Sequence, residues 1–244
     1  DTIGRCVKLL GVPVVMITAN GAFARDPLYN GLQNRKVKVS ADMKTLLTRE
    51  QGSALSVEEL EQTVISLLKP NRVAHVLGCR DTAVELAKRW GADETDAARA
   101  ALLHDITKAL DGPLQLTLCR AYGIMLDDFS IQNPKTLHAL TGSLVAKHIF
   151  GENDAVVSAI CSHTTGKADM NLLEKIIYVA DYMEPNRDFP GVEVLREYAW
   201  SDLDRAMLVS FEMSVQMLEA RGKAVDVNSR EAMEFMQQQL SHRV

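Results

Sequence analysis

From Ser56 onward the chain reads as one helix after another, and this sets its fold class. Ser56 with Glu59 is an N-cap followed by an acid three residues on, and the apolar pattern behind it runs to Leu68, where Pro70 stops it. Further helical segments are expected over 72–90, 94–108, 113–122, 135–150, 153–164, 171–183, 191–199, 202–220 and 229–241. Glycines at 91, 112, 123, 151, 166, 191 and 222 punctuate them, and Asp93, Asn153, Asn171, Ser201 and Ser229 are the caps or cap neighbours. No strand pattern is legible after residue 56. The expectation is an all-α bundle of about ten helices. Aromatic residues are only 5% of the chain while Met reaches 10, so the core must be built from aliphatic and thioether side chains.

The first 56 residues read differently. GVPVVMIT at 11–18 is a short β-branched run bounded by Gly11 and by Asn20-Gly21, and VKVS at 37–40 alternates apolar and polar. Both read as strands, with turn signals at Asp26-Pro27 and Asn30-Gly31 between them, so a short mixed α/β segment is expected ahead of the bundle. Charge divides at the same place. Residues 1–56 hold 8 basic and 4 acidic residues, a balance of +4, while the remaining 19 and 28 give −9. All six histidines lie at or after His75. Two units follow, residues 1–56 and residues 57–244.

Hydrophobic residues make up 47% of the chain and charged residues 24%, which excludes disorder as the main state. No stretch reaches the roughly 20 apolar residues that a bilayer-spanning helix needs, so no stable membrane insertion is expected. Cys6, Cys79, Cys119 and Cys161 show no C-x-x-C spacing and no secretory signal precedes them, so they read as reduced core residues of a cytoplasmic protein.

The chemistry lies in histidines and aspartates. His104-Asp105 closes an apolar helical run from Ala97 to Leu103, with Lys108 one turn on. His75 sits near the start of the preceding helix, His138 begins a later one and His163 ends the next. Asp181 interrupts the apolar run IIYVADYM, where a carboxylate is costly unless paired or bound to metal. Taken singly, each histidine is more often structural. Together, four His and two Asp on helices of one bundle point to a metal centre of imidazole and carboxylate ligands, a donor set that suits iron, manganese or zinc. His148 and His242 fall outside the pattern and read as structural or solvent-facing.

The order H…HD…H…H…D resembles the HD-domain phosphohydrolase superfamily. LLEKIIYVADYMEPNR at 172–187, FPG at 189–191, HTTG at 163–166 and HDITK at 104–108 narrow the resemblance to the YqeK family of bacterial HD-domain hydrolases. It covers roughly residues 57–240. The resemblance implies symmetrical cleavage of diadenosine tetraphosphate into two ADP, through a metal-activated hydroxide. It implies a dinuclear centre of two divalent ions, iron by family likeness. His75, His104, Asp105 and Asp181 would hold one ion, and Asp105 would bridge to a second held by His138 and His163. Asp105 is thus the central catalytic residue. Lys108 and Arg187 are the candidates for phosphate contact and catalysis, Arg187 by a bidentate fork and Lys108 as a point charge. Lys167, in the turn after His163, is a third substrate-binding candidate. Glu184 and Asn186 are read as ordering Arg187 or capping its helix.

Leu137 stands where the family often has Trp, Ser162 where it often has Tyr, and Thr107 where a small Ala is common. None removes a ligand, but the first two are expected to bear on the base or ribose pocket. The expected partner is a dinucleoside polyphosphate, with no nucleic acid and with a homodimer left open. Two alternatives stand beside this reading: an HD phosphohydrolase for another nucleotide, and a non-catalytic nucleotide-binding regulatory module. CVKLLGVPVV at 6–15 and GAFARDPLYN at 21–30 resemble a later portion of bacterial lysophospholipid acyltransferases. Those enzymes use an H-x-x-x-x-D pair, and no histidine precedes His75, so acyl transfer is not expected of this segment. A fusion remnant, a piece of a longer chain and a docking module remain its readings.

Overall fold

The computed structural model describes residues 55–243. The strands read at 11–18 and 37–40, and the acyltransferase-like stretches, lie outside the described residues. Those described form eleven α-helices and one 3₁₀ turn. In chain order they are α1 (Val57–Leu67), α2 (Pro70–Trp90), α3 (Glu94–Leu103), α4 (Gly112–Ala121), α5 (Asp128–Gln132), a 3₁₀ turn (Pro134–Leu137), α6 (His138–His148), α7 (Asp154–Ser162), α8 (Leu172–Met183), α9 (Val192–Ser201), α10 (Leu203–Ala220) and α11 (Val227–Ser241). No helix among them is long and apolar enough to cross a membrane.

Helix α8 is the hub. It packs on α2, α3, α7, α9 and α10. Only a helix apolar nearly all round can accept so many neighbours, and Leu173, Ile176, Ile177, Val179, Ala180 and Met183 are all buried. Its start is fixed by a capping box: the Asn171 side chain accepts from Glu174 N at 3.0 Å, and Glu174 Oε2 accepts from Asn171 N at 2.8 Å. Losing the Asn171 oxygen would cost about 1 kcal/mol. The closely associated pair α2 and α3 meets through small side chains, with Ala83, Ala87, Ala97, Ala100 and Ala101 all fully buried.

The caps at Ser56, Asp93, Asn153 and Asn171 form as the sequence indicates. Ser201 stands beside the capping Asp202, whereas Ser229 is the third residue of α11, whose capping oxygen belongs to Asp226 and whose Ser229 hydroxyl donates to Thr165 O at 2.8 Å. Three readings need correction. The segment 94–108 is not one helix: α3 ends at Leu103, and the chain then turns by bonds from Ile106 N to Leu103 O, Lys108 N to Asp105 O and Leu110 N to Thr107 O. These three-residue closures tighten the coil beyond an α-helix. The segment 135–150 splits at His138, because Pro134 opens a 3₁₀ turn closed by Thr136 N to Asn133 O. Helix α5, a short turn capped by Asp127, carries too little apolar pattern to be read from sequence. Both broken helices break at a histidine.

Candidate metal centre

Three of the four site histidines sit where a helix or helical turn stops. His104 is the C-cap of α3, His163 the C-cap of α7, and His138 follows the 3₁₀ turn. The last carbonyls of a helix lack intrahelical donors. Each ring uses one: Nδ1 of His104 lies 2.6 Å from Ala101 O, that of His138 2.8 Å from Lys135 O, and that of His163 2.7 Å from Ile160 O. A carbonyl only accepts, so each Nδ1 carries the proton and each Nε2 offers a lone pair to the interior. His75, within α2, uses Glu184 instead, with Nδ1 donating to Oε1 at 3.0 Å. Glu184 is buried, and its Oε2 accepts from Asn186 N at 2.7 Å and Asn186 Nδ2 at 2.8 Å. A Cβ at Gly78 on α2 would lie 2.5 Å from that oxygen, so the helix leaves room for this carboxylate.

The six side chains converge. Nε2 of His75 and His104 are 3.3 Å apart, and those of His138 and His163 are 3.1 Å apart. Asp105 lies between the two pairs. Its Oδ2 is 3.6 Å from both His75 and His104, and its Oδ1 is 3.4 Å from His138 and 3.7 Å from His163. Asp181 Oδ1 is 3.1 Å from His75 and 3.7 Å from His104. Asp105 Oδ1 is buried and accepts no hydrogen bond. Burial holds the His104, His138 and His163 rings neutral: His104 falls well below the usual imidazole range, His138 to about 2 and His163 to about 4. Neutral imidazole nitrogens and an orphaned carboxylate oxygen, closed in together, repel one another. They fit a divalent cation, whose donor set they match. Two groups have all ligand atoms within 4.8 Å of one another, His75/His104/Asp181 and His104/Asp105/His163.

Cationic side chains ring this cluster. Lys108 Nζ is 2.8 Å from His138 Nε2 and 3.4 Å from Asp105 Oδ1. Burial pulls its ammonium down to about 8, with Asp181 opposing and Arg72 and Arg187 adding to the fall. Arg187 donates from Nε to Asp181 O at 2.8 Å and from Nη2 to Asp181 Oδ1 at 2.6 Å. Sequence reasoning assigned no role to Arg72, which pairs with Asp105 Oδ2 through Nη2. Its signal was its spacing: three residues before His75 on a helix, it shares the histidine's face. Thr164 was also missed; its hydroxyl is 3.1 Å from Nε2 of both His138 and His163.

Several sequence readings are revised. Lys167 is engaged elsewhere, with Nζ 2.7 Å from Glu174 Oε1 and 3.5 Å from Ser158 Oγ. Glu184 serves His75 and Asn186 first; Arg187 Nε stands 3.9 Å from it. Leu137 and Ser162 are both buried, and Ser162 Oγ donates to Ser158 O at 2.9 Å. Thr107 braces the site from beneath, donating to His138 O at 2.9 Å. His148 stacks on Tyr122 with ring centres 4.7 Å apart, and His242 caps α11. Of the described cysteines, Cys79 and Cys119 are core residues but Cys161 is exposed. A cavity of ≈ 760 Å³ opens beside the cluster, with His163, Asp181, Lys108 and Arg187 in its wall.

A family model described as "HD domain" matches residues 72–186. The chain is 40% identical over 159 residues to the symmetrical bis(5'-nucleosyl)-tetraphosphatase of Halalkalibacterium halodurans, covering 63% of this chain and 84% of that protein. It is 37% identical over 169 residues to the protein of the same description from Bacillus subtilis, covering 69% and 90%. The crystal structure of a Clostridium acetobutylicum protein, described as a predicted HD superfamily hydrolase involved in NAD metabolism, superposes with a TM-score of 0.73 at 38% identity, covering 76% of this chain and 98% of that one.

Proposed function

Because the chain belongs to the HD-domain family of symmetrical bis(5'-nucleosyl)-tetraphosphatases, we propose that it splits diadenosine tetraphosphate into two ADP at a dinuclear His/Asp centre. At the coarser level it is a metal-dependent HD-domain phosphohydrolase. The observation that carries the finer reading is Asp105. Its two oxygens face different histidine pairs at 3.4–3.7 Å, as a bridging carboxylate would. His75, His104, Asp181 and Asp105 Oδ2 would hold one cation, and His138, His163 and Asp105 Oδ1 the other. Iron is the ion the family likeness implies, with manganese and zinc suited to the same donors. Bound there, the ions would acidify a water and neutralise charge gathering on the phosphoryl oxygens.

The chain's own residues bind and orient. Arg187 presents a planar fork to a phosphate while two of its donors stay tied to Asp181, so its position is fixed before substrate arrives. Lys108 adds a point charge on the other side of Asp105. Hydrolysis of the central phosphoanhydride consumes one water: its oxygen ends on one inner phosphorus, and the bridging oxygen leaves on the other ADP. The three described cysteines are free thiols, which supports a cytoplasmic setting.

Nucleotide chromatography of a diadenosine tetraphosphate digest tests the reaction. Two ADP per substrate is the expected result. AMP plus ATP would contradict it, and bound metal with no turnover of any nucleotide would favour a regulatory binding module.

A further inference from the structure

Behind the metal cluster three more polar side chains are buried, Thr107, Gln115 and Thr141, each at most 1% exposed. Gln115 lies in the middle of the buried face of α4, between Leu114, Leu118 and Cys119. An amide there is costly unless both its ends are bonded. Both are. Its Nε2 donates to Thr107 O at 2.9 Å, and its Oε1 accepts from the Thr141 hydroxyl. The Thr107 and Thr141 hydroxyls are 2.8 Å apart, and that of Thr107 also reaches His138 O at 2.9 Å. Each hydroxyl has one proton. With that of Thr141 on Gln115, that of Thr107 lies between His138 O and Thr141 Oγ1. The donors therefore close a circuit: Thr107 to Thr141, Thr141 to Gln115, and Gln115 back to the carbonyl of residue 107.

This circuit ties three segments together: the turn 104–108 that carries Asp105 and Lys108, the start of α6 that carries His138, and α4. Gly142 shows how close the first two stand. A Cβ there would lie 3.3 Å from His104 O and 3.6 Å from Thr107 Oγ1, so α6 runs directly against the turn. Helix α4 closes the third side, packing on α6 and on the 3₁₀ turn. Its own apolar contacts, Leu114 and Leu118 with Leu110, form a small cluster separate from the main core. The two histidine pairs are thus held differently. His75 is braced by Glu184, and the helices that carry His75 and His104 meet in the main core. His138 opens its helix straight from a 3₁₀ turn, with no side-chain cap. Its 3.4 Å approach to Asp105 Oδ1 is set by how that opening sits on the turn 104–108.

We propose that Gln115 is a positioning residue for the second cation. Acting through Thr107 and Thr141, it holds His138 against the turn that carries Asp105. The half of the centre formed by His138, His163 and Asp105 Oδ1 depends on it, and the half formed by His75, His104 and Asp181 does not. This rests on the two-cation reading given above. Ligands must be held within about 0.5 Å of their working positions, and losing a supporting partner typically weakens metal binding roughly 10- to 100-fold. Gln115→Leu removes the amide yet strands no partner. Thr107 O keeps the Leu110 N–H at 3.0 Å, and the Thr141 hydroxyl has Leu137 O at 3.0 Å.

The test is calorimetric titration of Mn²⁺ into the metal-stripped full chain, with electron paramagnetic resonance of each loaded sample and circular dichroism as the check on folding. Gln115→Leu and Thr141→Val should weaken the second ion about tenfold and leave the first within about twofold of wild type. The spin-coupled signal of a paired centre should fall in step with the second ion. Thr141→Ser keeps the hydroxyl and should match wild type for both ions. Equal weakening of both ions, an unchanged Gln115→Leu, or equal effects of Thr141→Val and Thr141→Ser would overturn the positioning role. A wild type that binds one ion per chain would overturn the two-cation reading instead. The role of Gln115 then stands if that ion weakens about tenfold in Gln115→Leu and not in Thr141→Ser, and falls if it does not.

Discussion

Glu184→Gln is the sharpest probe of how the centre is held. The side chain is 1% exposed and takes three donors: His75 Nδ1 at 3.0 Å on Oε1, and Asn186 N and Nδ2 at 2.7 and 2.8 Å on Oε2. Gln has the same shape but only one oxygen. If that oxygen stays on His75, the new NH₂ faces the Asn186 backbone N–H, donor to donor. Flipping the Asn186 amide relieves one clash but removes its bond to Ala74 O, and the backbone N–H is still opposed. If the oxygen turns to Asn186, the NH₂ faces Nδ1 of His75. That ring must then move its proton to Nε2 and lose the lone pair it offers to metal. The first arrangement leaves a buried donor unmatched, at a cost of about 1–3 kcal/mol, and the second takes the Nε2 lone pair away from the metal. The first cost appears as stability and the second as metal affinity, typically a 10- to 100-fold loss for such a supporting residue. The assay is metal titration against a chelator of known affinity, with urea unfolding of the metal-free protein on the same preparation. A variant with unchanged metal affinity and an unchanged unfolding midpoint would refute the reasoning.

Asp105→Ala removes the carboxylate between the two histidine pairs and should lower turnover by more than about a thousandfold, a loss of several kcal/mol; near-wild-type turnover in folded protein would sink the site assignment. Arg187→Lys keeps the charge but loses the fork, so kcat/KM should drop about tenfold with metal content intact; loss of metal would make Arg187 a structural support of Asp181. The metal-free protein should lose stability in mild acid. Its buried His104, His138 and His163 have folded pKa values below the unfolded value of about 6.5, so the unfolded chain binds protons first as pH falls. Stability is present above pH ~6.5 and lost below it, by about 2 kcal/mol per histidine between pH 7.5 and 5. Denaturant midpoints at the two pH values check this, and equal stabilities would contradict it.

The helices were legible because their caps and periodicity are local. Ser56, Asp93, Asn153 and Asn171 each act within three residues of their own position. What the local pattern hid was where helices break. His104 and His138 stand inside runs that look helical, and the tight turns through them depend on packing from distant segments, as Thr107 on His138 O shows. The histidines and aspartates of the centre could be named because an ionisable group in an apolar run is conspicuous wherever it lies. Supporting partners were harder. Glu184 joins His75 across 109 positions of chain, a contact no spacing encodes. Lys167 shows the same limit: its neighbour in sequence His163 is in the cluster, but its own ammonium lies on the buried capping-box Glu174.

We propose that Asp105 joins two cations in one hydrolytic centre. Turnover of diadenosine tetraphosphate, followed by chromatography as metal is returned to the stripped full chain, tests it most directly. ADP should be the sole product, and its rate of formation should keep rising until two ions are bound per chain. Full activity at one ion per chain, activity without metal, or formation of AMP and ATP would contradict it.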